Sequence, residues 1–506
     1  MGVVMEKDLQ ETIRNEDFLH KVVPVEEAIT WIEDGMILGV SGFTLFGEPK
    51  LFLQKLAERG EQEDFKIDLY TGASMSESAD GTMVENDLIR YRLPYQGNPI
   101  LRKQINLGSV SYIDQHLSQT SETLRQGVIG PIDYAVIEAT AITEDGLIIP
   151  SGSVGNSPIF IEHAENVIVE VNLNLPKEYE GLHDIYIPNA QGKRSPIPIT
   201  DASDRIGDIG IRVDPDKVKG IIISNKNDSP SPLFEPNETT QIIANNLLTF
   251  LEEEVKSGRL TEELAPIQSG VGSVANAVLN GMKHSQFRNV VVASEVIQDG
   301  IFDLIEAGVV KFAYATAFSL SDKRVASLKS DLAKHCNKIM LRPQEISNHP
   351  EVIRRLGIIA FNTAIEADIY GNVNSTHING THMMNGIGGS GDFTRNSRIS
   401  IFVTPSTAKD GRISTIVPFV SHVDHTNHDV DVIVTENGYV DMRGLAPREI
   451  AEQLIENCMH PQYREQAWSY FEEAKKKSGG NTPHILQKAH AWHLHFQKNG
   501  TMLLNK

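Results

Sequence analysis

Cysteine is nearly missing, with Cys336 and Cys458 the only two in 506 residues. They form no CxxC pair and are too few to staple so long a chain, which excludes a disulfide scaffold and fits a reducing compartment. Both read as buried small residues. Long apolar runs are also missing: no window approaches the ~20 continuous apolar residues that cross a bilayer. The segment Met1 to Asp17, with five acidic residues and no apolar core, reads as neither a secretory signal nor a transit peptide. Positive charge is scarce as well, 46 basic against 67 acidic residues for a net charge of −21. Such a field repels phosphate backbones and anionic bilayers, so neither nucleic acid nor membrane is expected as a partner. A small anionic ligand held by helix N-termini and a few lysines is still compatible with it. Cytoplasm is the expected location.

At 506 residues, with 40% hydrophobic and 22% charged, the chain exceeds one ordinary core and reads as two folded domains. The first region follows a strand, glycine-loop, helix grammar: a helix from Val25 to Ile32, a strand from Met36 to Val40, a loop at Ser41-Gly42-Phe43-Thr44, and a helix from Pro49 to Leu56. Further strands are expected at Phe65–Tyr70, Tyr134–Glu138, Val167–Val171 and Lys219–Ile223. These non-alternating Val/Ile runs suit strands covered on both faces. The turn-rich stretch from Tyr91 to Asn106 reads as a loop. The rigid passage Pro230 to Asn237 marks the boundary, giving domains 1–227 and 228–506.

The second region repeats the grammar. It has a helix from Glu238 to Val255 and strands at Val290–Ala293, Lys311–Ala315, Lys338–Leu341, Ile358–Asn362, Ile399–Val403, Ile413–Val417 and Val430–Thr435. Late helices are expected at Pro447–Ile455 and Tyr463–Lys477, the last stopped by Gly479-Gly480. Two echoes suggest duplicated halves: Val136 to Gly146 resembles Thr363 to Gly371, and Ala164 to Glu170 resembles Asp429 to Glu436.

Candidate chemistry is spread over several motifs. Gln268-Ser269-Gly270-Val271-Gly272-Ser273-Val274-Ala275-Asn276 is a glycine-rich helix entry suited to a phosphate or carbonyl oxygen, but it matches neither a P-loop nor a dinucleotide fingerprint. The stretch from Tyr370 to His377 and the Gly388-Gly389-Ser390-Gly391-Asp392 stretch leave amide N–H groups uncovered, where a developing negative charge can be held. The latter is no serine-hydrolase elbow. Four carboxylates stand in strand-end contexts, Glu138, Glu295, Glu366 and Glu436, each able to serve as nucleophile, base or helix cap. Residue pattern alone does not choose among them. Arg342, Lys409 and Arg412 are candidates to neutralise a phosphate or carboxylate. His422, His425 and His428 raise a zinc alternative, though no metal is expected.

The motifs Gln268 to Val278, Ser294-Glu295-Val296-Ile297-Gln298-Asp299-Gly300, Arg342 to Pro350, Ala367 to Asn374, Gly386 to Phe393 and Ser421 to His425 together resemble the acetyl-CoA hydrolase/transferase family. The likeness runs from about Lys21 to about Leu486 and is strongest toward the long bacterial branch that includes succinyl-CoA:acetate CoA-transferases. It implies two related open α/β domains with mixed or largely parallel sheets, an active site at their interface, and a homodimer. It also implies a CoA-transferase exchanging CoA between short-chain acids, with acyl-CoA and carboxylates as partners. Coenzyme A would be substrate and covalent intermediate, and no cofactor would be permanently bound. By the same resemblance Glu295 is the catalytic glutamate, Gly389 the oxyanion-binding glycine, and Asn348 and Glu436 the active-site asparagine and second glutamate. Gln268, Gly270, Val271, Gly272, Asn276, Gly388 and Lys409 would line the CoA site. An acyl-CoA hydrolase, in which water resolves the same intermediate, is the alternative; a non-catalytic CoA-binding protein is a second.

Overall fold

The computed structural model describes residues 9–232 and 234–504. Residue contacts divide the chain into two compact units, one of Met1–Leu233, Val292–Ile305 and Lys311–Leu356, the other of Phe234–Val291, Glu306–Val310 and Gly357–Lys506. The chain leaves the first unit beside the Pro230 to Asn237 passage and returns to it twice.

The first unit is built on strands β1 (Ile37–Val40), β2 (Ile67–Tyr70), β3 (Ile89–Leu93), β4 (Ser111–Tyr112), β5 (Ile132–Ile142), β6 (Ile148–Pro150), β7 (Ala164–Asn172) and β8 (Val218–Ser224). Their order is β4-β3-β2-β1-β5-β7-β8, with every neighbour on this path parallel. β6 pairs antiparallel to β5. β1, β2 and β5 are buried along nearly their whole length, as their continuous Val/Ile/Leu runs require of a sheet covered on both faces. The strand order reverses between β1 and β5, so the loops after these strands open onto the place where such sheets bind ligands.

The stretch expected to be a loop, Tyr91 to Asn106, instead contains the end of β3 and a helix, Pro99–Leu107. Asn98 starts that helix, its Oδ1 accepting from the N–H groups of Ile100 and Leu101, and Pro99 occupies the first turn, where a missing N–H costs nothing. β3 was obscured because its polar Arg92 is fully buried, clamped on Asp80 by Nε at 2.8 Å and Nη2 at 3.1 Å. Arg92 Nη2 also donates to the Ala73 carbonyl at 2.9 Å, so the pair shapes the loop after β2. Asp80→Ala leaves a buried guanidinium without its counter-charge. We expect it to cost about 3–5 kcal/mol, measured as a lower midpoint in chemical denaturation.

In the second unit Ile267–Ser269, Ile359–Thr363, Ile399–Val403 and Val432–Thr435 lie side by side and parallel, and Gly438–Asp441 turns back antiparallel on the last. Ile267–Ser269 stands to Ile359–Thr363 as β1 stands to β5, so the Gly270 to Gly272 loop follows the strand equivalent to β1. The first echo therefore matches β5 with the last residue of Ile359–Thr363 and the short strand Glu366–Asp368 that follows it. The second does not match corresponding strands: β7 neighbours β5, whereas Val432–Thr435 lies one strand further out, and β7 corresponds in position to Ile399–Val403. The strand expected over Ile413–Val417 is broken at Thr415. Ile413–Ser414 pairs with Thr407–Ala408, and Ile416–Val417 pairs with Glu366–Asp368. Cys458 is buried as expected, but Cys336 is exposed, just past the helix Asp322–His335.

Candidate active site

The four strand-end carboxylates have different surroundings. Glu138 lies within β5, not at its end, and is saturated: Lys50 Nζ at 2.6 Å and Asn172 Nδ2 at 2.9 Å reach Oε1, and Ser151 Oγ reaches Oε2 at 2.7 Å. Burial pushes its pKa up to about 7 against the pull of Lys50. Glu366 accepts from Asn374 Nδ2 at 3.0 Å and from the Ser421 N–H and hydroxyl at 2.6 Å, and pairs with His493 Nε2 at 2.8 Å. Burial would raise its pKa, but His493 and Ser421 outweigh burial and hold it below the usual range. Both oxygens of Glu436 are taken by Ser406, the backbone N–H at 2.8 Å and the hydroxyl. Glu138 and Glu366 are buried, and carboxylates held this way act as structural ties; Glu436 is half-buried.

Glu295 differs. It sits at a break between two strands: Val290–Ala293 ends, Ser294 and Glu295 form the link, and Val296–Gln298 pairs parallel with Ala317–Ser319. The break is held by Ser294 N–H to Tyr314 O at 3.1 Å and Thr316 N–H to Glu295 O at 3.0 Å. Thr316 is in turn anchored, its carbonyl to Val154 N–H at 2.9 Å and its hydroxyl to Gly155 N–H at 3.1 Å. The Glu295 side chain is partly exposed, and its Oε2 accepts from Asn348 Nδ2 at 3.2 Å. A carboxylate on a rigid crook, oriented by a neutral donor and open to solvent, has the setting of a nucleophile.

Asn348 itself is fully buried. It follows the single turn Gln344–Ser347, its N–H bonds to the Gln344 carbonyl at 3.0 Å, and its Oδ1 accepts from Ser347 Oγ at 2.8 Å. With the amide oxygen engaged, the NH2 is directed at Glu295.

Residues not singled out in the sequence line the same place. Phe43, Ala73, Leu117, Val296 and Ala317 form an apolar cluster with Tyr95 packed on it. Burial and the Glu295 charge push the Tyr95 phenol up to about 12, so it keeps its proton and can donate. A Cβ at Gly97 would stand 3.7 Å from that hydroxyl and 3.3 Å from Ser74 Oγ. Ser74 Oγ is buried with no partner among the described residues. An aromatic residue inside a Pro/Gly loop was the available signal for Tyr95; Ser74 carried none.

In the second unit, Gln268 exchanges amide hydrogen bonds with Asn362 at 3.2 and 3.4 Å, and Gly270 N–H reaches the Phe361 carbonyl at 3.1 Å. Val271 is 45% exposed, an apolar side chain presented to solvent at a glycine loop. Gly272 has φ +132°, which only glycine adopts readily, and starts the helix Ser273–Lys283. Asn276 donates from Nδ2 to the Phe234 carbonyl at 2.9 Å. Gly388 has φ +58°, and Gly389 begins the helix Ser390–Asn396. Lys409 is exposed on the hairpin Thr407–Ser414, its Nζ 5.4 Å from the Phe496 ring centroid.

One sequence candidate, Arg342, falls away as a ligand group. Arg342 is fully buried, bound to Asp184 Oδ2 at 3.1 Å and to the Asp204 carbonyl, and stacks 4.6 Å over Tyr314. Arg412 donates from Nε to the Lys409 carbonyl at 2.9 Å and so closes its own hairpin. The histidines diverge: His422 stacks on His377 at 3.9 Å, while His425 Nε2 faces the Ser375 and Ser390 hydroxyls at 3.2 and 3.3 Å. Among the described residues no group of three His, Cys, Asp or Glu side chains is placed to hold a metal ion.

Residues 5–230 match the acetyl-CoA hydrolase/transferase N-terminal domain, and residues 328–471 match the C-terminal domain of the same name. The chain is 50% identical to a succinyl-CoA:acetate CoA-transferase of Clostridium kluyveri over 97% of its own length and 92% of that protein's. It is 41% identical to an acetyl-CoA hydrolase of Candida albicans, covering 98% of each. RipA from Yersinia pestis has the same fold, with a TM-score of 0.70 at 23% identity over 92% of this chain and 99% of that one. A partly exposed carboxylate at a strand break on this fold, with these matches, places the chain among the CoA-transferase-type enzymes. It belongs to the acetyl-CoA hydrolase/transferase family. Among the described residues no helix is long and apolar enough to cross a membrane.

Proposed function

We propose that the protein moves CoA between short-chain carboxylic acids, with succinyl-CoA and acetate as the preferred pair, through a thioester on Glu295. The observation that carries this reading is the contrast among the glutamates. Glu138 and Glu366 are buried and paired with the basic side chains of Lys50 and His493, whereas Glu295 is half-buried at a strand break and meets the neutral amide of the buried Asn348. The 50% identical relative supports the substrate pair.

In the proposed cycle a Glu295 oxygen adds to the donor thioester carbonyl and the C–S bond breaks, giving a mixed anhydride and CoA thiolate. The thiolate adds to the glutamyl carbonyl, the C–O bond breaks, and the first acid leaves as its carboxylate. The acceptor carboxylate then reverses the sequence, so protons balance throughout. Holding the carboxylate against the carbonyl supplies the effective concentration that a weak nucleophile lacks in water. Asn348 Nδ2 and the Gly389 N–H are the proposed donors to the successive oxyanions, each worth roughly 2.7–4 kcal/mol. Glu436 orients through Ser406. Gln268, Gly270, Val271, Gly272, Asn276, Gly388 and Lys409 are assigned to CoA, whose remote parts contribute binding energy to closure of the site.

The halves 1–227 and 228–506, a homodimer and a cytoplasmic location belong to the same proposal; the N-terminal family match, ending at residue 230, supports the boundary near 228, while residues 292–305 and 311–356 pack with the first unit. The 41% identity to an acetyl-CoA hydrolase favours water as the competing acceptor. Consumption of acetyl-CoA measured with and without added succinate separates the two readings. We expect turnover to require the carboxylate; equal rates in its absence would make the protein a hydrolase.

A further inference from the structure

Asn348 follows a helix of a single turn, Gln344–Ser347, too short to hold its own orientation. Its neighbours on either side are gripped by buried charge. Glu345 receives both arms of Arg125, Nη1 on Oε1 and Nη2 on Oε2 at 2.7 Å, with both side chains 6% exposed. Arg194 reaches in from the turn-rich strap 186–199, its Nη2 2.9 Å from Glu122 Oε2 and 3.6 Å from Glu345 Oε1, and its Nη1 donates to His349 Nε2 at 2.7 Å. Burial and the Arg194 charge push the His349 imidazole down to about 4, so it is neutral and can accept. The strap continues along the next helix, Pro350–Leu356. Ile197 N–H bonds Glu351 at 2.9 Å, Arg355 Nη1 holds the Ile197 and Ile199 carbonyls at 2.7 and 3.1 Å, and both isoleucines pack on Ile346 and Val352.

We propose that the buried cluster of Arg125, Glu345, Glu122 and Arg194 is a positioning device for Asn348, fixing the direction from which its amide meets Glu295. The inference rests on the reading of Glu295 as nucleophile. Four buried charges are a poor way to gain stability, since apolar side chains of like volume do as well or better; their best-attested use is to impose one geometry. A geometry is what this place needs, because the Asn348–Glu295 contact at 3.2 Å depends on one short turn, and a misplacement of about 1 Å at a reacting group costs ~10²-fold. The plainer alternative is that the cluster only staples the strap to the core. The two differ in coupling: a staple acts whatever residue stands at position 348, whereas a positioning device acts through it.

The experiment is a double-variant cycle on the full chain, with Glu345→Gln, Asn348→Ala and the pair, reading kcat, the KM for succinyl-CoA and the rate of glutamyl-CoA formation. We expect Glu345→Gln to lower kcat about 10- to 100-fold, with KM changed by less than about 3-fold. In the Asn348→Ala background it should add less than about 2-fold. Losses that multiply in the pair, an unchanged kcat, or an effect confined to KM would overturn the inference. If Glu345→Gln does not fold, Arg194→Gln, nearer the surface, takes its place in the same cycle, and Arg194→Lys should recover part of the rate. A wild-type protein that forms no adduct at Glu295 would remove the functional reading itself; an adduct with multiplying losses would remove only the positioning role.

Discussion

Glu295→Ala is expected to reduce acyl transfer by at least about 10⁴-fold, as removal of a covalent nucleophile does when the remaining groups can only bind and polarise. The variant should still bind CoA, because none of the residues assigned to CoA is altered. It should also fold: Glu295 is partly exposed, and the crook it occupies is held by backbone bonds through Ser294 and Thr316 that no side chain at 295 makes. Steady-state transfer assays beside CoA titration and a thermal melt check all three points. Substantial residual turnover at unchanged stability would remove the covalent mechanism. The same change at Glu138 should behave in the opposite way, since Lys50, Ser151 and Asn172 would each lose a partner; there the loss should appear in the melt.

Asn348→Ala is expected to lower kcat by about 10²- to 10³-fold, the usual effect of deleting one oxyanion or orienting donor, with little change in the KM for acyl-CoA. The reason is geometric. Asn348 is fully buried and its Oδ1 is occupied by Ser347, so the side chain meets Glu295 only through Nδ2. Asn348→Asp is the sharper variant: a second carboxylate 3.2 Å from Glu295 repels the first. Its transfer rate should rise as pH falls and one of the two carboxyls takes a proton. A pH–rate profile of this variant checks it, and a profile parallel to that of the unaltered protein would show that Asn348 does not act on Glu295.

Much of this fold could be read from residues because its parallel strands are fully covered. Runs such as Val290–Ala293 and Ile399–Val403 announce themselves as strands by composition alone. What escaped was whatever depended on a distant partner. β3 hid behind Arg92, whose presence in a core makes sense only with Asp80, twelve residues earlier. The break at Thr415 follows from its hydroxyl and N–H binding the Pro405 and Ser406 carbonyls. The glutamates show the same limit at the site. Lys50 reaches Glu138 across 88 residues and His493 reaches Glu366 across 127, so two of four equivalent strand-end acids became buried ties only in three dimensions. The family likeness pointed to Glu295 by its motif; the structure adds its contact with the amide of the buried Asn348.

The most direct test of that distinction is the intact mass of the protein mixed with succinyl-CoA and no acceptor, followed by peptide mapping. The expected result is a gain of one CoA less one water, located on the peptide that contains Glu295 and discharged on adding acetate. Transfer proceeding with no adduct at Glu295, or with the adduct on Glu138, Glu366 or Glu436, would contradict it.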